Sequence, residues 1–256
     1  MRVTVCELPD DLAERPSVWE DLVAHVREQA SDLVLLPELP FCPWIADRRP
    51  FQEDAWTRAV SAHEMALDRF TDLAPAVVVG TRPVGRDQGR RNEVFVASDG
   101  EVRAVHQKVY LPDEEGFWEA SWYQPGDAEF RGFEVADQPA GALVCTEIWF
   151  GERARELGRS GMRLLLAPRA TAAYSADKWV AGGRVAAVVS GAFCLSSNRG
   201  GVDRNGVQWA GQGWVIHPEE GDVLGLTSEE DPFLTLEIDP EESDRAKLTY
   251  RRYVRG

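Results

Sequence analysis

Three polar residues stand where apolar runs give out along this chain. Glu38 follows Val-Leu-Leu-Pro, Lys108 precedes Val-Tyr-Leu-Pro, and Cys145 follows Gly-Ala-Leu-Val. A thiolate is a nucleophile, a carboxylate can take its proton, and an ammonium can stabilise an oxyanion. Taken singly, each has a plainer reading: a buried cysteine is a small hydrophobe, and a Lys or Glu at a strand end is leaving the core. Taken together they make a coherent centre for attack on an acyl carbon. A thiol of pKa about 8.5 is mostly protonated at neutral pH, so it needs the neighbouring base or cation. None of His25, His63, His106 and His217 closes a buried apolar run, which disfavours a histidine-dependent version. Lys108 is one of only three lysines, with Lys178 and Lys247, among 28 basic residues. An ammonium is a compact point charge and a guanidinium a broad planar fork, so arginine is not its equivalent in such a site.

The elements that must position these residues follow from apolar periodicity. Residues 3–7 read as a strand and 18–30 as a helix, with Ser17 as its N-cap. Residues 32–39 and 76–80 are short apolar runs of the kind buried on both sheet faces. Between them 51–73 reads as helical, and Asp99-Gly100 is a hairpin turn joining strands at 93–98 and 101–109. Further strands are expected at 142–145, 164–167, 193–197, 213–216 and 233–238, with helices at 152–160, 176–190 and 241–253. This alternation, with inserted hairpins, predicts an α/β layered domain on mixed sheets, a single one over residues 1–256.

The composition narrows the function. A formal charge of −15 argues against a nucleic-acid partner and against an anionic membrane surface. No apolar run approaches the ~20 residues that span a bilayer. Cys6, Cys42, Cys145 and Cys194 lie far apart, and the histidines form no ligand pattern, so neither metal nor cofactor is expected. The first residues lack the apolar stretch of a secretory signal, which makes a cytoplasmic protein with reduced thiols the expectation.

Three segments carry a resemblance: LVLLPELPF (33–41), HQKVYLPDEEGFWEASWYQPGD (106–127) and GALVCTEIWFGERAREL (141–157). In this order they resemble the catalytic blocks of the nitrilase, or carbon–nitrogen hydrolase, superfamily. LLLAPRAT (164–171), CLSSNRGG (194–201) and GQGWVIHPEEGDVLG (211–225) extend the likeness over nearly the whole chain. The resemblance implies an αββα four-layer sandwich that assembles as a homodimer or higher homo-oligomer. It implies Glu38 as general base, Lys108 as oxyanion-stabilising lysine, Cys145 as nucleophile and Glu119 as a second glutamate supporting substrate and lysine. The backbone N–H of Thr146 would share the oxyanion. Departures from the pattern are Thr146 where an aromatic is frequent, Glu147 for aspartate, Gly151 for proline, and Arg169 where small or hydroxylated residues are common.

The implied activity is hydrolysis of a non-peptide C–N bond in a small amide or N-carbamoyl compound, through a thioester on Cys145, releasing ammonia or amine. A true nitrilase, an amidase feeding ammonia to a partner enzyme, and a catalytically silent binding protein are the competing readings. Trp118 and Trp149, like Trp44 and Trp122, lie in or beside the catalytic blocks, where they either fill core and subunit contacts or wall a flat substrate pocket. Arg169 follows a strand that should end near the site. It would either clamp a substrate carboxylate or pair with Glu147 or Glu152.

Overall fold

The computed structural model describes residues 1–86, 89–250 and 252–254. Its first half runs β1 (Arg2–Pro9), α1 (Pro16–Gln29), β2 (Leu33–Leu35), α2 (Glu53–Ala66), β3 (Val77–Arg86), β4 (Gly89–Ser98), β5 (Glu101–Gln107) and the short α3 (Glu119–Trp122). The second half runs β6 (Phe133–Val135), β7 (Gln138–Ala142), α4 (Gly151–Arg159), β8 (Leu164–Pro168), α5 (Ala176–Ser190), β9 (Phe193–Gly200), β10 (Trp214–Ile216), β11 (Val223–Leu226), β12 (Phe233–Glu237) and α6 (Glu241–Lys247).

The strands form two half-sheets joined at β1 and β9. Residues Val3–Val5 of β1 pair in parallel with β2 on one side, and Arg2–Cys6 pair antiparallel with β12 on the other. Beyond that, Glu7–Pro9 pair in parallel with Asn198–Gly200 of β9. One half continues β1-β2-β3-β4-β5, the other β9-β8-β7-β6, with β10 and β11 added beside β9. Side chains alternate across each strand. Val3, Val5, Leu33 and Leu35 therefore meet Leu164, Leu166, Phe193 and Leu195 in a core between the two half-sheets. The intervening Cys6, Val34 and Leu36 face outward onto Trp19, Leu22 and Val26 of α1 and onto Phe70. Leu165, Ala167 and Cys194 face outward onto Ala154 and Leu157 of α4 and onto Ala186 and Ala187 of α5. Three apolar interfaces separate four layers, the αββα sandwich expected above.

Several boundaries differ from the sequence reading for identifiable reasons. Arg15, not Ser17, precedes α1, because Pro16 takes the first helical position, where its missing N–H costs nothing. The strand expected over 32–39 ends its ladder at Leu35; Leu36 N–H still reaches Val79 O at 2.8 Å, but Pro37 has no N–H to continue. The strand expected over 142–145 is shifted back, and Cys145 opens a 3₁₀ turn, Cys145–Trp149. The helical stretch over 51–73 passes from α2 into a 3₁₀ segment, Leu67–Leu73. The last helix stops at Lys247 rather than continuing to 253, and Arg251 of the expected stretch lies outside the described residues. The hairpin at Asp99-Gly100 is as expected, with φ of 51° and 77° at its two central positions.

Candidate active site

Glu38, Lys108 and Cys145 are brought together from three separate chain segments just beyond strand ends. Glu38 lies three residues past β2 in a loop tied down on several sides. Its N–H donates to Arg169 O at 3.1 Å, and Leu39 N–H, at a positive φ of 50°, donates to Thr81 Oγ1 at 2.8 Å. The fully buried Arg199 guanidinium donates to Glu38 O and Leu39 O and pairs with Asp10. Lys108 follows β5, its N–H bonded to Asn92 O on β4 at 2.9 Å.

The Lys108 ammonium is wholly enclosed. It donates to Glu38 Oε1 at 2.8 Å and to Glu119 Oε1 and Oε2 at 2.7 and 2.8 Å. Glu38 Oε1 also accepts from Asn92 Nδ2 at 2.7 Å, whereas its buried Oε2 has no hydrogen-bond partner among the described residues. Burial alone would discharge the lysine; Glu119 and Glu38 outweigh it and hold the ammonium above its ordinary range. Burial, reinforced by Glu38, pushes Glu119 up to about 8 against the pull of Lys108. Glu38 and Glu119 thus share one cation.

Cys145 begins its turn at φ 48°, a left-handed conformation that costs a non-glycine residue free energy and recurs at functional positions. Burial first, and then the Glu38 charge, raise its thiol well above the ordinary value, while Lys108 pulls the other way. Burial of this kind calls for a base close to the sulfur at the moment of attack. The Thr146 N–H, the first after the thiol-bearing residue, is one of the donors a helix start leaves free, with no acceptor among the described residues.

Glu147 holds this turn in register with the lysine. Its Oε1 accepts the Val109 N–H at 2.7 Å, and its Oε2 accepts the Val144 N–H at 2.8 Å and meets His106 Nε2 at 2.9 Å. One buried carboxylate therefore staples the residue after Lys108 to the residue before Cys145. Neither Glu147 nor Asn92 was assigned such a role from the sequence. Asn92 follows two arginines at the start of its strand, and nothing in that local pattern marks it as a site residue.

A cavity of about 300 Å³ reaches Cys145, Thr146 and Glu119. Glu38 and Lys108 stand behind it, while Phe117, Trp149 and Trp179 form apolar walls. Trp149 and Trp179 pack at 5.0 Å between ring centroids, and the first lies over Gly182, where a Cβ would approach its ring to 3.0 Å. Two residues expected to touch substrate are absent from the cavity lining. Arg169 is fully buried behind the lining; it donates to Ser196 Oγ, Thr171 Oγ1 and Gln212 O and stacks 3.8 Å over Trp214. Each of its nitrogens is engaged by a neutral partner, and it forms no ion pair with Glu147 or Glu152 among the described residues. Trp118 is also off the cavity, packed under the Arg49 guanidinium at 4.7 Å with its N–H on Ala46 O. Trp44 and Trp122 are core residues with their indole N–H groups on Gly116 O and Arg48 O.

No group of three or more metal-ligating side chains is found among the described residues, and no described helix is long and apolar enough to cross a membrane.

A four-layer sandwich with Glu, Lys and Cys gathered beyond its strand ends has the architecture that the resemblance to the nitrilase superfamily implied. Comparison of the whole chain agrees: it belongs to the carbon-nitrogen hydrolase family, matched over residues 2–247. It is 24% identical over 180 residues to a citrullinase of Francisella tularensis, covering 66% of this chain and 61% of that protein. Similarity to an N-carbamoylputrescine amidase of Arabidopsis thaliana is 25% over 179 residues, covering 66% and 58%. The matched stretch thus spans about three fifths of the length of these curated relatives. The fold is that of a carbon-nitrogen hydrolase from Helicobacter pylori G27, with a TM-score of 0.87 at 21% identity over 98% of this chain and 94% of that one.

Proposed function

We propose that this protein hydrolyses a non-peptide C–N bond in a small amide or N-carbamoyl compound through a thioester on Cys145. The observation that carries this reading is the enclosed Glu38–Lys108–Glu119 cluster behind a cavity that ends on the Cys145 thiol. Glu38 takes the thiol proton as sulfur adds to the carbonyl carbon, which answers the raised ionisation of the resting thiol. The oxyanion is stabilised by Lys108 and the Thr146 N–H. Glu38 then gives its proton to the nitrogen, and ammonia or amine departs. Water adds to the thioester with its proton going to Glu38, and the thiol is restored as the carboxylic or carbamic acid leaves. Glu119 holds Lys108 in place and forms part of the cavity wall.

The relatives named above act on carbamoyl compounds by name, which supports the substrate class. The test is ammonia release over a panel of amides, N-carbamoyl compounds and nitriles, with Cys145→Ala as control. Turnover of amides or carbamoyl compounds that Cys145→Ala abolishes is the expected result. Turnover confined to nitriles, or undiminished in Cys145→Ala, would overturn the reading.

A further inference from the structure

Two opposite charges on the cavity rim are left unused by the fold. Lys178, in the first turn of α5, and Glu114, in the segment before α3, both line the cavity that ends on Cys145. Neither has an ion-pair partner or a side-chain hydrogen bond among the described residues, and both are exposed. Asp113, next to Glu114, is by contrast paired with Arg49 at 2.9 Å. The remaining charged group in the wall, Glu119, is already held by Lys108.

The rim is therefore electrically balanced but dipolar, with a cation on one element and a carboxylate on another. A monocation would satisfy Glu114 and meet Lys178 as a like charge; a monoanion would do the reverse. A zwitterion answers both. The other end of the ligand carries the uncharged carboxamide or ureido group that the hydrolase reading brings to Cys145. Between the two ends, Phe117, Trp149 and Trp179 offer apolar surface for a short hydrocarbon spacer.

Resting on the amide-hydrolase reading, we propose that the substrate is a zwitterionic α-amino acid whose side chain ends in a carboxamide or ureido group, its carboxylate received by Lys178 and its ammonium by Glu114. Lys178, and not Arg169, is then the cation that reads a substrate carboxylate.

The test is a ureido series differing only in the charged end, L-citrulline as zwitterion, N-carbamoylputrescine as the cation, 5-ureidopentanoate as the anion and n-butylurea as the neutral control, with L-glutamine added as a carboxamide zwitterion. The unmodified protein should turn over a zwitterion with a kcat/KM about tenfold or more above both mono-ions. Lys178→Met should lower the zwitterion-to-cation ratio about fivefold, and Glu114→Gln the zwitterion-to-anion ratio by a similar factor, as expected for partly exposed ion pairs worth ~1 kcal/mol. The effect should reside mainly in KM. A preference for a mono-ion or the neutral urea, or ratios that the variants leave unmoved, would overturn the inference while leaving the hydrolase reading intact. If no member of the series, and no simple amide, releases ammonia in a Cys145-dependent way, the hydrolase reading itself fails.

Discussion

Replacing Lys108 by methionine removes one charge from a fully enclosed cluster while nearly conserving volume. In the native protein that ammonium serves two buried carboxylates through contacts of 2.7 to 2.8 Å. Taking away one partner of a buried ion pair costs about 3–5 kcal/mol, because the remaining charge is left without compensation. For a chain of this size that is a fall in melting temperature of roughly 6–20 °C. The loss should depend on pH in a definite direction. Glu119 is already raised to about 8 by burial and by Glu38, and Lys108 is the group opposing that rise. Without the lysine, the folded state binds protons more tightly than the unfolded chain, whose glutamates titrate near 4.3. Stability in Lys108→Met is then greatest below the unfolded value and falls as pH rises through the folded one. Melting followed by circular dichroism between about pH 5 and 8.5 should show the variant closest to the parent at the acid end and furthest from it at the alkaline end. In parallel, kcat should fall by about 10²–10³ or more through loss of the oxyanion donor. A variant that melts with the parent at pH 8, with no added pH slope, would refute a lysine clamped between two charged carboxylates.

Three other outcomes follow from the same geometry. Glu38→Gln keeps an oxygen for Lys108 but removes the base, so turnover should fall at least about 10²-fold. Because the Glu38 charge raises the Cys145 thiol, iodoacetamide alkylation in that variant should reach half-maximal rate at a lower pH than in the parent. A profile unmoved or shifted upward would contradict this. Glu147→Gln places an amide where two backbone N–H donors expect oxygens, loosening the register between Lys108 and Cys145. Its kcat should drop about ten- to a hundredfold with little change in KM, and a change in KM alone would mean that Glu147 acts on the substrate. Arg169→Met should cost stability, through the orphaned Ser196, Thr171 and Gln212 contacts, and not redirect specificity between anionic and neutral amides. A preserved melting temperature with a selective loss of anionic substrates would reverse that assignment.

What the sequence disclosed and what it hid have physical reasons. Glu38 and Cys145 stood out because each closes an apolar run, and strands buried on both faces leave few polar positions to choose from; Lys108 stood out as a scarce lysine just past a strand. The αββα layering was reached through the family resemblance, while the alternation of Val3, Val5, Leu33 and Leu35 against Cys6, Val34 and Leu36 is what separates its two sheet faces. Strands β6 and β11, of three and four residues, were missed because they are too short to display a period. Arg169 stood out because its position beyond a buried strand is where site residues sit; its hydrogen-bond partners Ser196 and Gln212, 27 and 43 residues away, are not legible from local sequence. Lys178 was noticed only as a scarce lysine on a helix. Its place on the cavity rim depends on how α5 packs against the Cys145–Trp149 turn, which no local pattern encodes. The Glu147 staple is likewise a tertiary fact, visible only when Val109 and Val144 are side by side.

The central claim is that carbon–nitrogen cleavage passes through Cys145. Intact-mass and peptide mass spectrometry of the protein quenched during turnover of an active amide tests it most directly. The account predicts a mass gain equal to the acyl or carbamoyl group, confined to the peptide carrying Cys145 and absent in Cys145→Ala. Turnover with no such adduct under conditions that accumulate the intermediate, or an adduct that persists in Cys145→Ala, would contradict it.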